Sequence, residues 1–284
     1  MRVVITGAGG FVGGHVARAF STAGHAVSSL DRAALDVTDP TAVTRAVAGA
    51  DVVCHLAARV RVRESRRDPS SYWRTNLDGT RHVLAACSPA TRVVLASTAA
   101  VHATADTPIG PDAPLDPASP YAASKLAADL LARDLAAAGG PGVVSLRAFN
   151  VAGPGDPDTS RVLPALLSGR PFTVHGDGSA VRDYLHVADL ADAFVAAVDA
   201  AEAGTWRAYT VGSGRGTALA DLVDVVGRVT GVPVPVEHGP AVAEPARLVA
   251  DPSRIADDLG WRPHRSDPQR IVADAWTSLP RYSA

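Results

Sequence analysis

The chain has 284 residues, 47% of them hydrophobic, enough to bury one large α/β unit or a main domain with a smaller lobe. The formal net charge is −2 and the pI near 6.5, and apart from RVRVRESRR at 59–67 no block of like charge stands out. The overall field therefore argues against nucleic acid and leaves room for an anionic small molecule held by local arginines. The first residues, MRVVITGAGG, lack the layout of a signal peptide, and no run of about 20 apolar residues suggests a span. Cys54 and Cys87 lie in apolar contexts without metal-ligand spacing and read as core thiols. A cytoplasmic protein with no membrane partner and no metal is expected.

In chain order, RVVITG is a short β-branched run, and FVGGHVARAFSTAG is helical with a glycine stop. HAVSSLD reads as a second strand. DPTAVTRAVAGA is a helix with Asp39 as N-cap and Pro40 at its first position. DVVCHLAA is a third strand, YWRTNLDGTRHVLAACS a helix and RVVLAST a fourth strand. A long helix, SPYAASKLAADLLARDLAAAGG, precedes the strand GVVSLRAFN. Alternating strands and helices, with near-continuous apolar strands, predict a doubly wound parallel sheet of Rossmann type. Beyond residue 150 the rhythm loosens. VAGPGDPDTS is a loop, RVLPALLSGR a short helix, FTVHGDGSAVRDYLHV a strand–turn–strand, VADLADAFVAAVDA a helix and ADPSRIADDLGWRP a helix and turn. The expected division is a dinucleotide-binding domain at 1–150, to which 183–212 returns, and a smaller substrate lobe from 151–182 and 213–284.

TGAGGFVG sets Gly7, Gly10 and Gly13 three residues apart between the first strand and the first helix. Val12 stands at the third position of G-x-G-x-x-G, yet the physics is shared. Glycines permit a tight turn and close approach of a pyrophosphate, and the helix N-terminus offers it free N–H groups. Asp31, at the end of the second strand, is suited to ribose hydroxyls and repels a 2′-phosphate, which favours NAD. Arg32 beside it argues the reverse. Asp36 and Val37 are placed beside the adenine, with an ordinary turn as the alternative for Asp36.

Lys125 is the only lysine in a chain that otherwise writes its cations as arginine. It follows Tyr121 by four residues in a helical stretch, so the two share a face one turn apart. A fixed cation about 5 Å from a phenol, at an effective dielectric near 20, contributes roughly 3 kcal/mol, or about two pKa units. That predicts a phenol activated as a base. An ammonium also offers compact donors to a ribose hydroxyl, which a planar guanidinium would place differently. Ser97 and Thr98 end the fourth strand, where ligands of open α/β sheets bind. Thr98 is the expected partner for the reacting oxygen, and Ser97 is expected to face the cofactor.

With these motifs the chain resembles the extended short-chain dehydrogenase/reductase family, and within it the UDP-galactose 4-epimerase-like group of NAD-dependent nucleotide-sugar epimerases and dehydratases. The resemblance runs nearly end to end, through TGAGGFVGGHV, VCHLAA, RESRRDPSSYWRTNLDGTRHVL, STAAVHA, PYAASKLAAD, LRAFNVAGPGD, VRDYLHVADLADA and ADPSRIADDLGWRP. It implies a cofactor site that includes Phe11, Leu56, Ala57, Ala58, Asn76 and Phe149, with Asn150 and Arg182 at the substrate diphosphate. An ion pair with Asp183 is the alternative for Arg182. It also implies a homodimer through the helices at 72–87 and 121–138, with Leu130 or Leu131 and the face carrying Leu84 in contact.

The sequence departs from that pattern in places. The R-x-G-D arginine before ADPSR is absent, and Arg247 comes too late to replace it simply. His102 and Ala103 stand where tyrosine and glycine are expected. The Asp-Glu pair of dehydratases is absent after the hydroxyls, which disfavours elimination. The expected activity is NAD-dependent epimerisation at C4 of a UDP- or dTDP-hexose or uronic acid through a 4-keto intermediate. Alternatives are an NAD(P)H-dependent 4-ketoreductase of a dTDP-deoxysugar and a noncatalytic nucleotide sensor.

Overall fold

The computed structural model describes residues 1–242 and 244–279. The N-terminal part alternates as the apolar pattern dictates: β1 (Arg2–Thr6), α1 (Phe11–Thr22), β2 (Ala26–Leu30), α2 (Pro40–Val47) and β3 (Val52–His55). The Asp39 carboxylate caps α2, accepting from the Thr41 and Ala42 amides. Short helices α3 (Val62–Ser65) and α4 (Pro69–Tyr72) follow, then a π-helical turn at Trp73–Asp78 and α5 (Gly79–Ala86). β4 (Arg92–Thr98), α6 (Pro120–Ala137) and β5 (Gly142–Ala148) complete this half. The helix expected over 72–87 is thus interrupted. The π turn carries Asn76 into the interior, as such bulges do at functional regions.

The later chain runs β6 (Asn150–Ala152), α7 (Val162–Leu167), β7 (Phe172–His175), β8 (Val181–Arg182), β9 (Tyr184–His186), α8 (Val187–Ala196) and β10 (Trp206–Val211). It ends with β11 (Thr217–Ala218), α9 (Leu219–Thr230), β12 (Val236–Gly239), β13 (Arg247–Leu248), α10 (Ser253–Leu259) and α11 (Pro268–Ser278).

The central sheet has six parallel strands in the order β10-β5-β4-β3-β1-β2. The order reverses beside β1, which creates a crevice at the C-terminal ends of β1 and β3. Alternation along each strand feeds two cores. Val3, Ile5, Cys54 and Val94 pack with α1 and α8, whereas Val4, Val53, Val93 and Leu95 pack with α2, α5 and α6. A separate core joins α7, α9 and α11 through Leu163, Leu166, Leu222, Val226, Ile271 and Val272.

Residues 183–212 add α8 and β10 to the sheet layers. The C-terminal segment is shared between bodies, since Ile255 of α10 and Trp261 belong to the sheet core. The expected hairpin at 172–186 does not form. β7 instead pairs in parallel with β12, while β8 lies between β11 and β13. The turn at Gly176–Gly178, both at positive φ, separates the strands, and Asp177 secures it by accepting from the Ser179 amide and hydroxyl. No helix among the described residues is long and apolar enough to cross a membrane.

Candidate active site

The crevice opens into a cavity of about 680 Å³, within the range of sites for ligands of cofactor size. Its floor comes from the C-terminal ends of the parallel strands. Gly7, Gly10 and Gly13 follow β1; Leu56, Ala57 and Ala58 follow β3; Ser97 and Thr98 end β4; Phe149 and Asn150 follow β5. Of the other expected residues, Phe11, Val12, Arg32, Asp36, Val37, Tyr121, Lys125 and Arg182 stand at the wall.

The glycine loop is a cradle that side chains would fill. Gly7 sits at φ 73°, and a Cβ on it would lie 2.6 Å from the Ala57 nitrogen. A Cβ on Gly13 would lie 2.8 Å from Ala8 Cα and closer still to the Gly7 carbonyl oxygen. Gly10 caps α1 without any side-chain bond, so the first amides of the helix are left to a ligand. These features fit a dinucleotide pyrophosphate.

Two expected cofactor residues do not line the cavity. Asp31 is exposed and its Oδ1 accepts from the Ala34 amide at 2.8 Å, while its Cβ packs where a Gly9 side chain would be. Asn76 is buried and acts on a neighbour. Its Oδ1 accepts from the Arg59 amide at 2.8 Å, and its Nδ2 donates to the Arg59 carbonyl and the Ser124 hydroxyl, both at 3.0 Å. Asn76 therefore pins the loop after β3 against α6. Asp36 lines the wall as a turn residue as well, accepting from the Thr38 amide and hydroxyl, which hold its carboxyl below the usual range.

Tyr121 and Lys125 project from the first turns of α6, whose start is fixed by Ser119 capping the Ala122 amide and by Pro120. Tyr72 meets the Tyr121 ring edge-on at 6.4 Å, and Arg59 lies 5.3 Å over Tyr72. Burial pushes the Tyr121 phenol above its ordinary range, opposed by the neighbouring Thr98 hydroxyl and by the charge of Arg161. This corrects the electrostatic expectation. Lys125 is not among the groups that move Tyr121. It is buried, its ammonium is pulled down by desolvation, and its coupling runs to Asp129. The Thr98 hydroxyl accepts from the Ala100 amide, which leaves its proton for a partner. Ser97 lines the wall, and its hydroxyl donates to Asp129 Oδ2 at 3.0 Å.

Below Lys125, His55 is fully buried between the Thr6 hydroxyl at 2.7 Å and the Thr80 hydroxyl at 3.2 Å. Burial and the lysine charge lower its pKa to about 3, so the ring stays neutral and cannot join acid–base work near neutrality.

On the opposite wall, Arg182 pairs with Glu244 at 2.6 Å and donates to the Pro245 carbonyl at 2.8 Å. Its acid is not Asp183. That carboxylate is buried and accepts from the Ser213, Gly214 and Ala250 amides, which joins three segments of the later chain. Arg247 does not line the cavity, because β13 commits it to pairing with Val181.

Sequence reasoning missed Asp156, Ser160, Arg161 and Tyr184, which also line the wall. Arg161 is ion-paired to Asp156 at 3.3 Å and lies 5.7 Å over the Phe11 ring. The loop GPGDPDTSR carries no periodic signal, and its acid–cation pair five residues apart was the one available clue. Leu84, expected at a dimer face, is buried in the core of its own sheet instead.

The model of the NAD dependent epimerase/dehydratase family matches residues 3–212. The UDP-glucose 4-epimerase of Streptomyces lividans is 37% identical, over 97% of this chain and 95% of its own length. That of Corynebacterium glutamicum is 36% identical over the same shares. The crystal structure of UDP-glucose 4-epimerase from Brucella ovis in complex with NAD superposes with a TM-score of 0.90 at 31% identity, covering 97% of each chain. The chain belongs to the NAD dependent epimerase/dehydratase family, in its nucleotide-sugar epimerase group.

Proposed function

We propose that this protein inverts C4 of a nucleotide-activated sugar, a UDP-hexose in the first instance, using NAD that it retains. The observation that carries the reading is the meeting of Thr98, Tyr121 and Lys125 in one cavity that runs from the glycine loop to Asn150 and Arg182. Bound NAD supplies a hydride acceptor that later returns what it received. The chain supplies the rest. Tyr121 takes the proton of the 4-hydroxyl, and Thr98, beside it on the wall, steadies the same oxygen. Lys125 holds the ribose beside the base. Asn150 and Arg182 anchor the diphosphate while the 4-keto sugar turns and presents its other face. Arginine suits such an anchor through paired, charge-assisted donors.

In the same reading, the sheet with α1, α2, α5, α6 and α8 forms the cofactor body, and the α7–α9–α11 cluster forms the substrate lobe. The protein works in the cytoplasm as a homodimer through α5 and α6, with Leu130 in place of the buried Leu84 as its apolar contact. The test incubates the protein with UDP- and dTDP-sugars, with and without NADH. Product without consumption of added cofactor supports the epimerase. Stoichiometric NADH oxidation makes it a ketoreductase, and binding without turnover makes it a sensor.

A further inference from the structure

A polar network lies under the cavity wall, and the reaction scheme above does not use it. Ser97 Oγ and Arg147 Nε both donate to Asp129 Oδ2, at 3.0 Å and 3.1 Å. Arg147 donates through Nη1 to the Pro111 carbonyl at 2.9 Å and faces His102 Nε2 at 3.4 Å. His102 Nδ1 lies 3.2 Å from the Ala113 carbonyl, an arrangement satisfied by the neutral ring donating through Nδ1. The Trp206 ring covers Arg147 at 5.9 Å. Asp129 is 1% exposed and Arg147 2%. A buried carboxylate held this firmly is costly unless its charge is used or fully matched.

Lys125 stands one helical turn before Asp129, and it too is buried, at 6% exposure. A buried ammonium needs a counter-charge nearby. His55 on β3 is neutral between its two threonines. Tyr121 and Ser124 on α6 and Asn76 on the π turn are uncharged. Arg147 on β5 is a cation. The carboxylate on its own helix face is Asp129, one turn on, and its charge opposes the loss of the proton that burial favours. The two donors on Asp129 converge on a single oxygen, Oδ2, which fixes the carboxylate on that side of α6.

We propose that Asp129 is the positioning residue of Lys125: a carboxylate locked by Ser97 and Arg147 one turn along α6, which keeps the buried ammonium charged and on the cavity face of the helix. The inference rests on the proposed role of Lys125, but its test does not require turnover. Because the chain contains one lysine, ¹³C-lysine labelling yields a single side-chain Cε resonance, and its pH titration reads Lys125 directly.

In Asp129→Asn the midpoint is expected to fall by about one to two pH units, while Asp129→Glu stays within about half a unit of the parent. Turnover at pH 7.5 should fall at least about tenfold in the Asn variant through kcat, with KM for the sugar nucleotide little changed. Asparagine leaves the Arg147 guanidinium unpaired, so folding is checked by circular dichroism. The double variant Asp129→Leu/Arg147→Met removes the Arg147 cation together with the anion, so a smaller fall, about half to one pH unit, is expected there, because Asp129 stands on the helix face of Lys125 and Arg147 beyond it. Unfolding would move the midpoint the other way, up towards about 10.4. A midpoint within about 0.3 unit of the parent in either folded variant overturns the proposal. A parent protein that titrates as expected but turns over no sugar nucleotide sinks the functional reading and leaves this one standing.

Discussion

Gly13 and Gly14 are neighbours in α1, and the structure assigns them opposite tolerances. A methyl on Gly13 would lie 2.8 Å from Ala8 Cα and 2.9 Å from the Gly7 carbonyl carbon, and closer to the Gly7 oxygen. All three are backbone atoms of the loop that α1 is packed against, so no side chain can swing aside. The helix must move by several tenths of an ångström or more. Its first amides then leave the positions set for the pyrophosphate. Losing one charge-assisted hydrogen bond is worth about 1.5–3 kcal/mol, roughly a 10- to 100-fold weaker Kd. A methyl on Gly14 meets nothing closer than the Ala8 carbonyl at 3.8 Å. It also gains roughly 0.5–1 kcal/mol of helix propensity. Titration calorimetry with NAD on protein stripped of cofactor should therefore show Gly13→Ala weakened at least about tenfold and Gly14→Ala unchanged, with Tm raised in the latter. Equal NAD affinity in the two variants would refute the close-approach argument.

Tyr121→Phe should lower turnover by about 10²–10⁴ while NAD stays bound, as read by cofactor absorbance in the purified protein; a variant above a tenth of the parent rate removes the phenol from its role. Lys125→Arg should fail despite its charge, because the site is buried and shaped for an ammonium; near-parental kcat would make the lone lysine an accident of composition. Asp31 lies outside the cavity lining but beside the glycine loop, with Oδ1 given to the Ala34 amide and Oδ2 left for a ribose, so Asp31→Ala should weaken NAD more than NADP in parallel titrations; a parent that prefers NADP would transfer the decision to Arg32, which lines the wall. Leu130→Arg, on a partly exposed position of α6, should convert a dimer to a folded monomer in light scattering; a monomeric parent at micromolar concentration ends the dimer proposal.

The parallel sheet and its glycine loop were legible because their signals are local. Strand runs, caps and turn glycines each act within a few residues, and Asp39, Pro40 and the α6 start behave as their chemistry requires. The placement of Thr98, Tyr121 and Lys125 followed from two such rules, helical spacing and the strand ends of an open sheet. What escaped depends on distant partners. The locking of Asp129, one turn after Lys125, needs the β5 arginine, 18 residues further on. Asn76, placed on the cofactor side by the resemblance, clamps the loop after β3, because a π turn rotates it inward. β7 pairs with β12, 64 residues further on from strand start to strand start, and no periodicity within either strand records that choice.

The absent R-x-G-D arginine gains a meaning from the pairs on the substrate wall. The segment that would have carried it supplies Glu244 instead, and Glu244 holds the guanidinium of Arg182. Arg161 is held in turn by Asp156. The two carboxylates differ in how readily they let go. Glu244 is 40% exposed, so water takes over its charge cheaply when Arg182 turns to a diphosphate. Asp156 is 2% exposed, and stripping its cation would leave a buried, unpaired carboxylate. On the proposed reading, Arg182 is the clamp that exchanges partners and Arg161 the fixed post that lends its charge to the cavity. One arginine with a yielding partner can then hold a diphosphate tightly enough to anchor it. Its grip is also loose enough for the sugar to turn between two presentations to the same base.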